Sequence, residues 1–531
     1  MMRRRALLGA GAALALVAGC DRFESAQAID GGFTGIDMAR GHAWRDGAMR
    51  QGASKTTTRR TRVLIAGGGV AGLAAARALR QAGIEDFALL ELEDAAGGNS
   101  RAGQIGGIAC PLGAHYLPVP GDDAPEVQNL LEELGLRRRV AGRWEIDERH
   151  LCHSPQERLW FEGEWHDGLL PVAGVGEATL VQYRLFARRV DELRRQMRFA
   201  IPTAKAPFSA GLLALDALPF SVWLAREGLT DPHLRWYLEY CCRDDYGAGL
   251  AQVSAWAGIH YFASRHGFHA PGEEGGERDS VLTWPEGNAW LAQRIAAPLG
   301  DRVKTGQVVT RIAQVKGGVE VDAFDAGSKS MQRWQCDRCV VALPVFIAAR
   351  VVENPPEVLR NAAASVRYAP WLVGNVHLRA PLADRAGPAP SWDNVLYGTR
   401  GLGYVDARHQ ALDPTPGATV LTWYRPLGAS SVDGDDGRRR LQDQPWTAWR
   451  DELLAELSQA HPDLAQQASR IEFTRYGHAM AIPMVGLQRQ LGSAPPLDGR
   501  LSFAHADWSG YSIFEEAFTR GHMAGAAILG T

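Results

Sequence analysis

The pattern of apolar and polar positions is most regular between residues 63 and 93, which read VLIAGGGVAGLAAARALRQAGIEDFALLELE. The short apolar run VLIA predicts a buried strand. A glycine-rich turn follows, and then an alanine-rich stretch that ends near Gly83 and predicts a helix. The next apolar run, FALLELE, predicts a second strand that ends in acidic residues. The order of strand, glycine turn, helix and strand indicates the start of a parallel α/β sheet.

Farther along the chain the pattern alternates between helical and strand-like. Three stretches have helical periodicity, PEVQNLLEELG, EATLVQYRLFARRVDELRRQM and GNAWLAQRIAAPLG, and short β-rich runs follow them. This order predicts an α/β fold in which a discontinuous Rossmann-type nucleotide-binding domain is interrupted by an α+β substrate domain. The predicted boundaries are 61–150, 280–347 and 480–531 for the nucleotide-binding domain, and 151–279 and 348–479 for the substrate domain.

Size and charge narrow the possibilities. The chain has 531 residues, of which 46% are hydrophobic and 22% charged, and its net charge is −3. This length favours two domains over one core, and without a basic excess nucleic acid is not an expected partner. Cys336 and Cys339 form a CxxC, but no second such pair and no histidine pair at zinc spacing accompanies it. We therefore predict no metal site.

The first twenty residues, MMRRRALLGAGAALALVAGC, have the pattern of an export signal. Their apolar run is too short to span a bilayer as a mature helix. RRALL resembles a twin-arginine signal and VAGC resembles a bacterial lipobox, which implies a lipid on Cys20 and an exported, periplasmic protein anchored to a bacterial membrane. An ordinary cleaved signal with a chance cysteine is the alternative. Residues 1–20 are then the signal peptide, and 21–60, which lack clear periodicity, a tether.

The glycine turn has the spacing G-x-G-x-x-G, with Gly67, Gly69 and Gly72. Such glycines permit a tight turn, let the backbone approach a pyrophosphate and let the helix lie against the strand. Glu91, at the end of the second strand, can accept hydrogen bonds from ribose hydroxyls. A dinucleotide is therefore the expected ligand. The residues expected to contact it are Gly67, Gly69, Val70, Ala71, Gly72 and Glu91.

The stretch EDAAGGNSRAGQIGGIACPLGAHYLP resembles the segment that follows the second strand in the flavin-containing amine oxidase and phytoene desaturase superfamily. DRCVVALPV resembles a strand of that superfamily, and GRLSFAHADWSGYSIFEEAFTRGHMAGAAIL resembles its C-terminal flavin segment, with WSGY as in monoamine oxidases. The resemblance implies an amine oxidase-like fold with FAD as the cofactor. It also implies cofactor contacts from Gly97, Gly98, Arg101, Val308, Asp507 and Ser512.

The C-terminal segment contains a helix-start signal. Ser512 and Glu515 have the spacing of a capping box, which predicts a helix beginning near Ser512. The positive end of such a helix stabilises the negative charge of a reduced flavin. A plain amphipathic helix without a ligand is the alternative.

The resemblance also implies catalytic groups. Tyr511 matches one ring of an aromatic cage that orients an amine, and Trp508 lies beside it. His115 matches a position on the substrate side of the flavin, and His478 precedes the last segment, where the second face of the cage is expected. For each of them the alternative is a core aromatic or a structurally hydrogen-bonded histidine.

The function that follows is FAD-dependent oxidation of an amine by hydride transfer to flavin N5. The alternatives are an FAD-dependent desaturase or isomerase of an apolar substrate, and a non-catalytic flavin-binding partner protein. The segment RYAPWLVGNVHL lacks the lysine that many amine oxidases have there, which suits an electron acceptor protein or quinone in place of oxygen. Asp244 and Asp245 could hold a cationic amine, but we expect them to form a structural cluster with Arg243.

Overall fold

The structure is a computed structural model that describes residues 29–47, 56–206, 208–272, 280–411, 413, 415–492 and 497–528. The predicted signal peptide, with Cys20, lies outside the described residues. Among the described helices, none has the length and apolar character needed to cross a membrane.

The strands are numbered β1 to β24 along the chain. They are β1 Asp30–Phe33, β2 Thr56–Arg60, β3 Val63–Ala66, β4 Phe87–Leu90, β5 Ala102–Ile105, β6 Ile108–Pro111, β7 Tyr116–Pro118, β8 Arg137–Val140, β9 Arg143–Ile146, β10 Glu157–Phe161, β11 Glu164–Asp167, β12 Val281–Thr283, β13 Val303–Lys304, β14 Gln307–Val315, β15 Gly318–Asp325, β16 Ser330–Cys336, β17 Arg338–Val341, β18 Arg367–Leu378, β19 Asp393–Leu396, β20 Tyr404–Asp406, β21 Thr419–Pro426, β22 Ala468–Ile482, β23 Leu497–Asp498 and β24 Leu501–Phe503.

The α-helices are numbered in the same way. They are α1 Met38–Arg45, α2 Val70–Gln81, α3 Pro125–Glu133, α4 Glu177–Gln196, α5 Ala210–Asp216, α6 Phe220–Arg226, α7 Pro232–Tyr246, α8 Ala255–Ala263, α9 Ala289–Ala296, α10 Val345–Val351, α11 Glu357–Ser365, α12 Gly437–Asp443, α13 Trp446–Leu457, α14 Leu464–Gln467, α15 Leu487–Leu491 and α16 Phe514–Ala527.

A six-stranded sheet in the order β13-β4-β3-β17-β24-β23 forms the base of the nucleotide-binding domain. Its neighbouring strands are parallel except for the pair β23 and β24. Strands β3 and β4 are buried along their whole length, as in a parallel sheet covered on both faces. Helix α16 lies directly on α2, and a Cβ at Gly521 would overlap the carbonyl oxygen of Ala71. The first strand–helix unit and the C-terminal helix therefore meet in one layer, as expected for a discontinuous nucleotide-binding domain.

An eight-stranded sheet in the order β1-β22-β18-β21-β20-β19-β10-β11 forms the second large layer. Successive residues of its strands face opposite sides, so Val373 packs with the core that includes helices α4 to α8, while Leu372 packs with the core that includes α13. Strand β22 extends to Ile482 and so crosses the predicted domain boundary at residue 480.

The short β-rich runs predicted after the third helical stretch include β14, β15 and β16, which are antiparallel neighbours and form a β-meander. It joins the nucleotide-binding sheet where the N–H of Gln307 donates to the carbonyl of Glu91 at 2.8 Å. The CxxC cysteines lie at the end of β16 and within β17, and both Cys336 and Cys339 are buried and free.

The expectation of a tether over residues 21–60 is wrong for the part that the structure describes. Strand β1 pairs in parallel with residues 470–473 of β22, and β2 pairs in parallel with residues 331–335 of β16. Helix α1 lies between them. Backbone hydrogen bonds to the edge strands of two sheets hold these segments in place. Such pairing does not require a periodic pattern of apolar residues, so the sequence does not reveal it.

Candidate functional site

The glycine turn between β3 and α2 has the geometry that its spacing predicts. Gly67 has a φ of +103°, and a Cβ there would overlap the carbonyl oxygen of Ala342. A Cβ at Gly72 would overlap the carbonyl oxygen of Gly67. At Gly69, by contrast, a Cβ would meet nothing nearer than the Cα of Gly98 at 3.8 Å. Two glycines are thus required by the fold, and the third leaves open space at the N-terminus of α2.

That helix N-terminus is free for a ligand group. Gly69 is the N-cap of α2 and supplies no side-chain cap, and Val70 and Ala71 form its first turn. The backbone N–H groups of a first helical turn have no partner within the helix, and with the positive helix end they are suited to a pyrophosphate. The arrangement therefore fits the phosphate part of a dinucleotide.

Glu91 lies directly beside the glycine turn. Its carboxylate accepts the N–H of Gly68 at 2.8 Å and the N–H of Glu93 at 2.8 Å. Burial raises the pKa of Glu91, although these hydrogen bonds oppose the shift. A Cβ at Gly68 would lie 2.7 Å from the carboxylate, so the turn and the acid are fitted to each other. Glu91 is in the position that ribose recognition requires.

The Gly97–Gly98 turn packs on this site. Both glycines have positive φ, and the N–H of Gly97 donates to the carbonyl of Gly68 at 2.8 Å. A Cβ at Gly98 would lie 3.2 Å from the Cα of Gly69. The predicted double glycine is therefore needed to bring the two backbones together around the nucleotide end.

Two other predicted contacts line the same end less directly. Arg101 donates to the carbonyl of Gly35 at 3.1 Å and lies 3.5 Å from the carboxylate of Glu93, so its charge is already compensated within the chain. Val308 is buried in β14, next to Gln307, whose backbone is bonded to Glu91. Both residues support the loop after β4.

Asp507 is enclosed, which differs from the expectation of a cofactor contact. Its carboxylate accepts the N–H of Val345 at 2.9 Å and the hydroxyl of Tyr368 at 2.5 Å, and lies 3.0 Å from the Nδ1 atom of His505. Burial raises the pKa of Asp507, but His505 and the Tyr368 hydroxyl together bring it below its usual value. The residue joins α10 and β18 to the C-terminal segment.

The predicted capping box is wrong. The Ser512 hydroxyl accepts the N–H of Ala481 at 2.8 Å, and α16 begins two residues later, at Phe514, without a side-chain cap. The side chain of Asn99 donates to the carbonyl of Ala479 at 2.8 Å. The glycine-rich loop, the end of β22 and the C-terminal segment therefore meet, and the first turn of α16 carries two buried acids, Glu515 and Glu516.

Three of the four predicted catalytic residues, Tyr511, Trp508 and His478, have separate surroundings and do not form one aromatic cage. Tyr511 has no exposed surface; its hydroxyl donates to Asp245 at 2.5 Å and accepts a hydrogen bond from Arg265 at 2.9 Å. Trp508 is buried against Phe503. Tyr511 and Trp508 are thus enclosed, and their catalytic roles stay predictions. His478 is exposed and stacks on Phe346 at 4.4 Å.

His115 belongs to a compact aromatic cluster. Its ring stacks on Tyr424 with centroids 4.4 Å apart, and Tyr116 and Trp392 lie at 4.9 Å and 5.4 Å. Burial lowers the pKa of His115 to about 3, so the ring is neutral at physiological pH. The hydroxyl of Thr283 fixes the strand by donating to the carbonyl of His115 at 2.8 Å.

Two carboxylates border this cluster, and one of them was not predicted. Asp244 lies near Tyr116, whose hydroxyl lowers the pKa of Asp244, and Asp393 follows Trp392. Burial, and then the charge of Asp245, raise the pKa of Asp244 to about 7. Burial also raises the pKa of Asp393 well above its usual value, and the charge of Asp244 adds to the effect. The carboxylates are therefore close enough to influence each other.

The expected cluster with Arg243 is not formed. The guanidinium of Arg243 donates to the carbonyl of Arg400, whereas Asp245 pairs with Arg265 at 3.3 Å. Arg265 comes from the turn after α8, outside the YCCRDDYG motif, so proximity in sequence gave the wrong partner. Asp393 was missed because an aspartate at the start of a strand reads as a surface residue unless the fold is known.

Comparisons with known proteins agree with this architecture. The sequence profile described as flavin-containing amine oxidoreductase matches residues 70–529. An L-amino acid dehydrogenase of Synechocystis is 25% identical over 280 residues, which span 51% of this chain and 49% of that protein. The putrescine oxidase of Kocuria rosea is 24% identical over 494 residues, which span 88% of this chain and 95% of that protein.

A solved putrescine oxidase structure has the same fold. It superposes with a TM-score of 0.68 at 18% identity and covers 89% of this chain and 100% of its own. The predicted superfamily, the amine oxidase-like fold, the FAD cofactor and the oxidoreductase class are confirmed by these matches. The chain spans only about half of the Synechocystis relative, so that match alone does not identify a substrate or a partner.

Proposed function

The chain belongs to the flavin-containing amine oxidoreductase family, and from this premise we propose that it is an FAD-dependent enzyme that oxidises a cationic amine. The observation that carries the proposal is the pair of buried carboxylates, Asp244 and Asp393, beside the aromatic cluster of His115. Burial raises the pKa of both acids, and a bound ammonium group would favour their ionised form by placing the opposite charge beside them.

The residues of the glycine turn fit FAD. Gly67, Gly69 and Gly72, with the N-terminus of α2, would hold the pyrophosphate, and Glu91 would hold the ribose. Bound FAD supplies a hydride acceptor at its N5 atom.

The carboxylates have a second use. An amine gives up a hydride only as the neutral base, so a bound ammonium must first lose a proton. Asp244, with its pKa raised to about 7, is matched to accept that proton near neutral pH. His115 stays neutral and, with Tyr424 and Trp392, forms a wall that excludes water from the reacting carbon.

Two acidic side chains favour a diamine or polyamine as the substrate. One carboxylate can hold each ammonium group, and a relative matched over 88% of this chain is a putrescine oxidase. The Synechocystis relative suggests an amino acid instead. An amino acid needs a cation for its carboxylate, and Arg265, the cation that the structure places in this cluster, is already paired with Asp245. We therefore favour the amine.

Anaerobic reduction of the flavin tests the substrate. Putrescine and spermidine are expected to bleach the absorbance of the purified holoenzyme, and L-amino acids to leave it unchanged. Asp393→Asn should raise the half-saturating diamine concentration about tenfold, the effect of losing one charge-assisted contact. Asp301→Asn, a change at an exposed aspartate of the nucleotide-binding domain, is the matched control.

Flavin that no amine reduces would overturn the proposal in favour of a non-catalytic flavin-binding partner. Reduction by an apolar substrate alone would favour the desaturase or isomerase alternative. The two buried acids argue against that alternative, because an apolar ligand brings no positive charge to them.

We also propose that electrons pass to a protein or quinone and not to oxygen. Strand β18, Arg367–Leu378, has no lysine, and the Synechocystis relative is named a dehydrogenase. Diamine-dependent reduction of a soluble quinone, without peroxide release, is the expected result. Rapid peroxide formation in air would contradict it.

We propose that the protein is exported to the periplasm and anchored to a bacterial membrane by a lipid on Cys20. The support is the pattern of arginines, apolar run and cysteine in residues 1–20. Labelled fatty acid should be incorporated into the full-length protein in its host and be absent from Cys20→Ala. Equal labelling of both would contradict the anchor.

A further inference from the structure

Residues 30–45, which we call the N-terminal strap, lie outside the segment matched by the family profile, which begins at residue 70. The strap comprises β1, a short connection and α1. It adds residues to the cofactor end of the molecule that the family match does not include.

The strap is held closely on the body of the protein. A Cβ at Gly31 would overlap the carbonyl oxygen of Ile471, and the N–H of Thr34 donates to the carbonyl of Phe473 at 2.9 Å. The guanidinium of Arg475 lies 3.8 Å from the ring centroid of Phe33. The strap is thus fixed at its β1 end by contacts with β22.

The other end of the strap contacts the loop that follows β4. Arg40 donates to the carbonyl of Leu92 at 2.7 Å and pairs with Asp94 at 3.0 Å. The N–H of Asp37 lies 3.4 Å from the carboxylate of Glu93. Helix α1 therefore lies against the residues that come directly after Glu91.

Two further links tie the strap to the nucleotide end. Arg101 donates to the carbonyl of Gly35 at 3.1 Å and lies 3.5 Å from Glu93. Glu93 in turn donates its N–H to the carboxylate of Glu91 at 2.8 Å. A continuous set of contacts thus runs from the strap to the acid that faces the glycine turn.

We propose that the N-terminal strap completes the nucleotide end of the FAD site and slows release of the cofactor, with Arg40 as its positioning residue. By fixing residues 92–94, Arg40 restrains the loop whose movement would release Glu91 from the glycine turn. Dissociation of a dinucleotide requires that loop to open, so contacts that hold it closed lower the release rate. The inference rests on the FAD cofactor and is independent of the amine substrate.

The test is the rate at which the full-chain holoenzyme loses FAD after dilution, followed by the rise in flavin fluorescence. Arg40→Ala should release FAD about tenfold faster, as expected for the loss of one charge-assisted hydrogen bond. Arg40→Lys should restore part of the retention, since a lysine can still reach one acceptor. Arg45→Ala on the same helix is the matched control, because Arg45 pairs with its neighbour Asp46 at an exposed position.

Equal release from the Arg40→Ala and Arg45→Ala proteins would overturn the proposal. Hydrogen exchange of the wild-type protein is the second measurement, for the case that Arg40→Ala does not fold. Amides of residues 36–45 should exchange more slowly with FAD bound than without it, and identical exchange in both states would also overturn it. Neither readout uses amine turnover, so failure to find an amine substrate leaves this test unaffected.

Discussion

At the nucleotide end of the candidate site, the backbone supplies most of the recognition: Gly67, Gly69 and Gly72 shape a turn, and Glu91 is the main polar side chain. At the substrate end, side chains from separate elements meet, including His115 near β7, Asp244 of α7, Asp393 of β19 and Tyr424 of β21. A local motif builds the first region, whereas the second forms only when the whole fold is complete. Changes should therefore act differently in the two regions.

The largest effect is expected from Gly72→Val. A side chain there would overlap the carbonyl oxygen of Gly67, which the helix and strand hold rigidly. We expect a loss of about 5 kcal/mol in the free energy of unfolding, because the overlapped atom belongs to the backbone and cannot move aside, together with loss of bound FAD. Urea unfolding and flavin content measure both.

Gly121→Val is the control for this change, because a Cβ at Gly121 has nothing within 4 Å and its φ is not positive. If Gly72→Val were as stable and as yellow as the control, the close approach of α2 to the turn would not be needed, and the description of the nucleotide end would fail.

The next effect concerns the buried contact that Asp245 and Arg265 make with Tyr511. Asp245→Asn leaves the guanidinium of Arg265 without its carboxylate in a buried place, which should cost about 4 kcal/mol. Tyr511→Phe removes one hydroxyl and should cost about 2 kcal/mol. Thermal and urea unfolding of the holoenzymes compare them. A larger loss for Tyr511→Phe would show that the phenol and not the ion pair holds this junction.

The two regions also differ in how much of each the sequence predicts. The turn, Glu91 and the double glycine are recognisable because each acts within a few residues of its partners in the chain. WSGY was recognised as well, but its surroundings were not, since Asp245 and Arg265 approach Tyr511 from another domain. Asp393 and the strap depend on strand neighbours far away in sequence, and no local pattern marks such neighbours.

At the substrate end, Asp244→Asn should lower kcat/KM for a diamine about thirtyfold and leave FAD content unchanged. The amide keeps the shape of the side chain but removes the charge that attracts an ammonium group, a loss of about 2 kcal/mol. Steady-state kinetics with a quinone acceptor measure it. A loss of FAD in this variant would mean that the two regions are not separable, which would break the comparison.

The smallest effect is a pH dependence that belongs to the substrate end alone. Because burial and the charge of Asp245 raise the pKa of Asp244 to about 7, the side chain is neutral below that pH and ionised above it. A diamine stays protonated well beyond pH 8, since alkyl amines lose their proton near pH 10. kcat/KM should therefore fall about tenfold per unit as the pH drops below about 7, and be level above it.

The sign for stability is opposite: an acid whose folded pKa is raised binds more protons folded than unfolded, so its contribution to the free energy of unfolding declines as the pH rises from about 4 to about 7. In Asp244→Asn both slopes should flatten, while FAD release, governed by the nucleotide end, keeps the wild-type pH profile. An unchanged kcat/KM slope in that variant would assign the titration to another group, with Asp393 the first to examine, because its pKa is raised by burial in the same cluster.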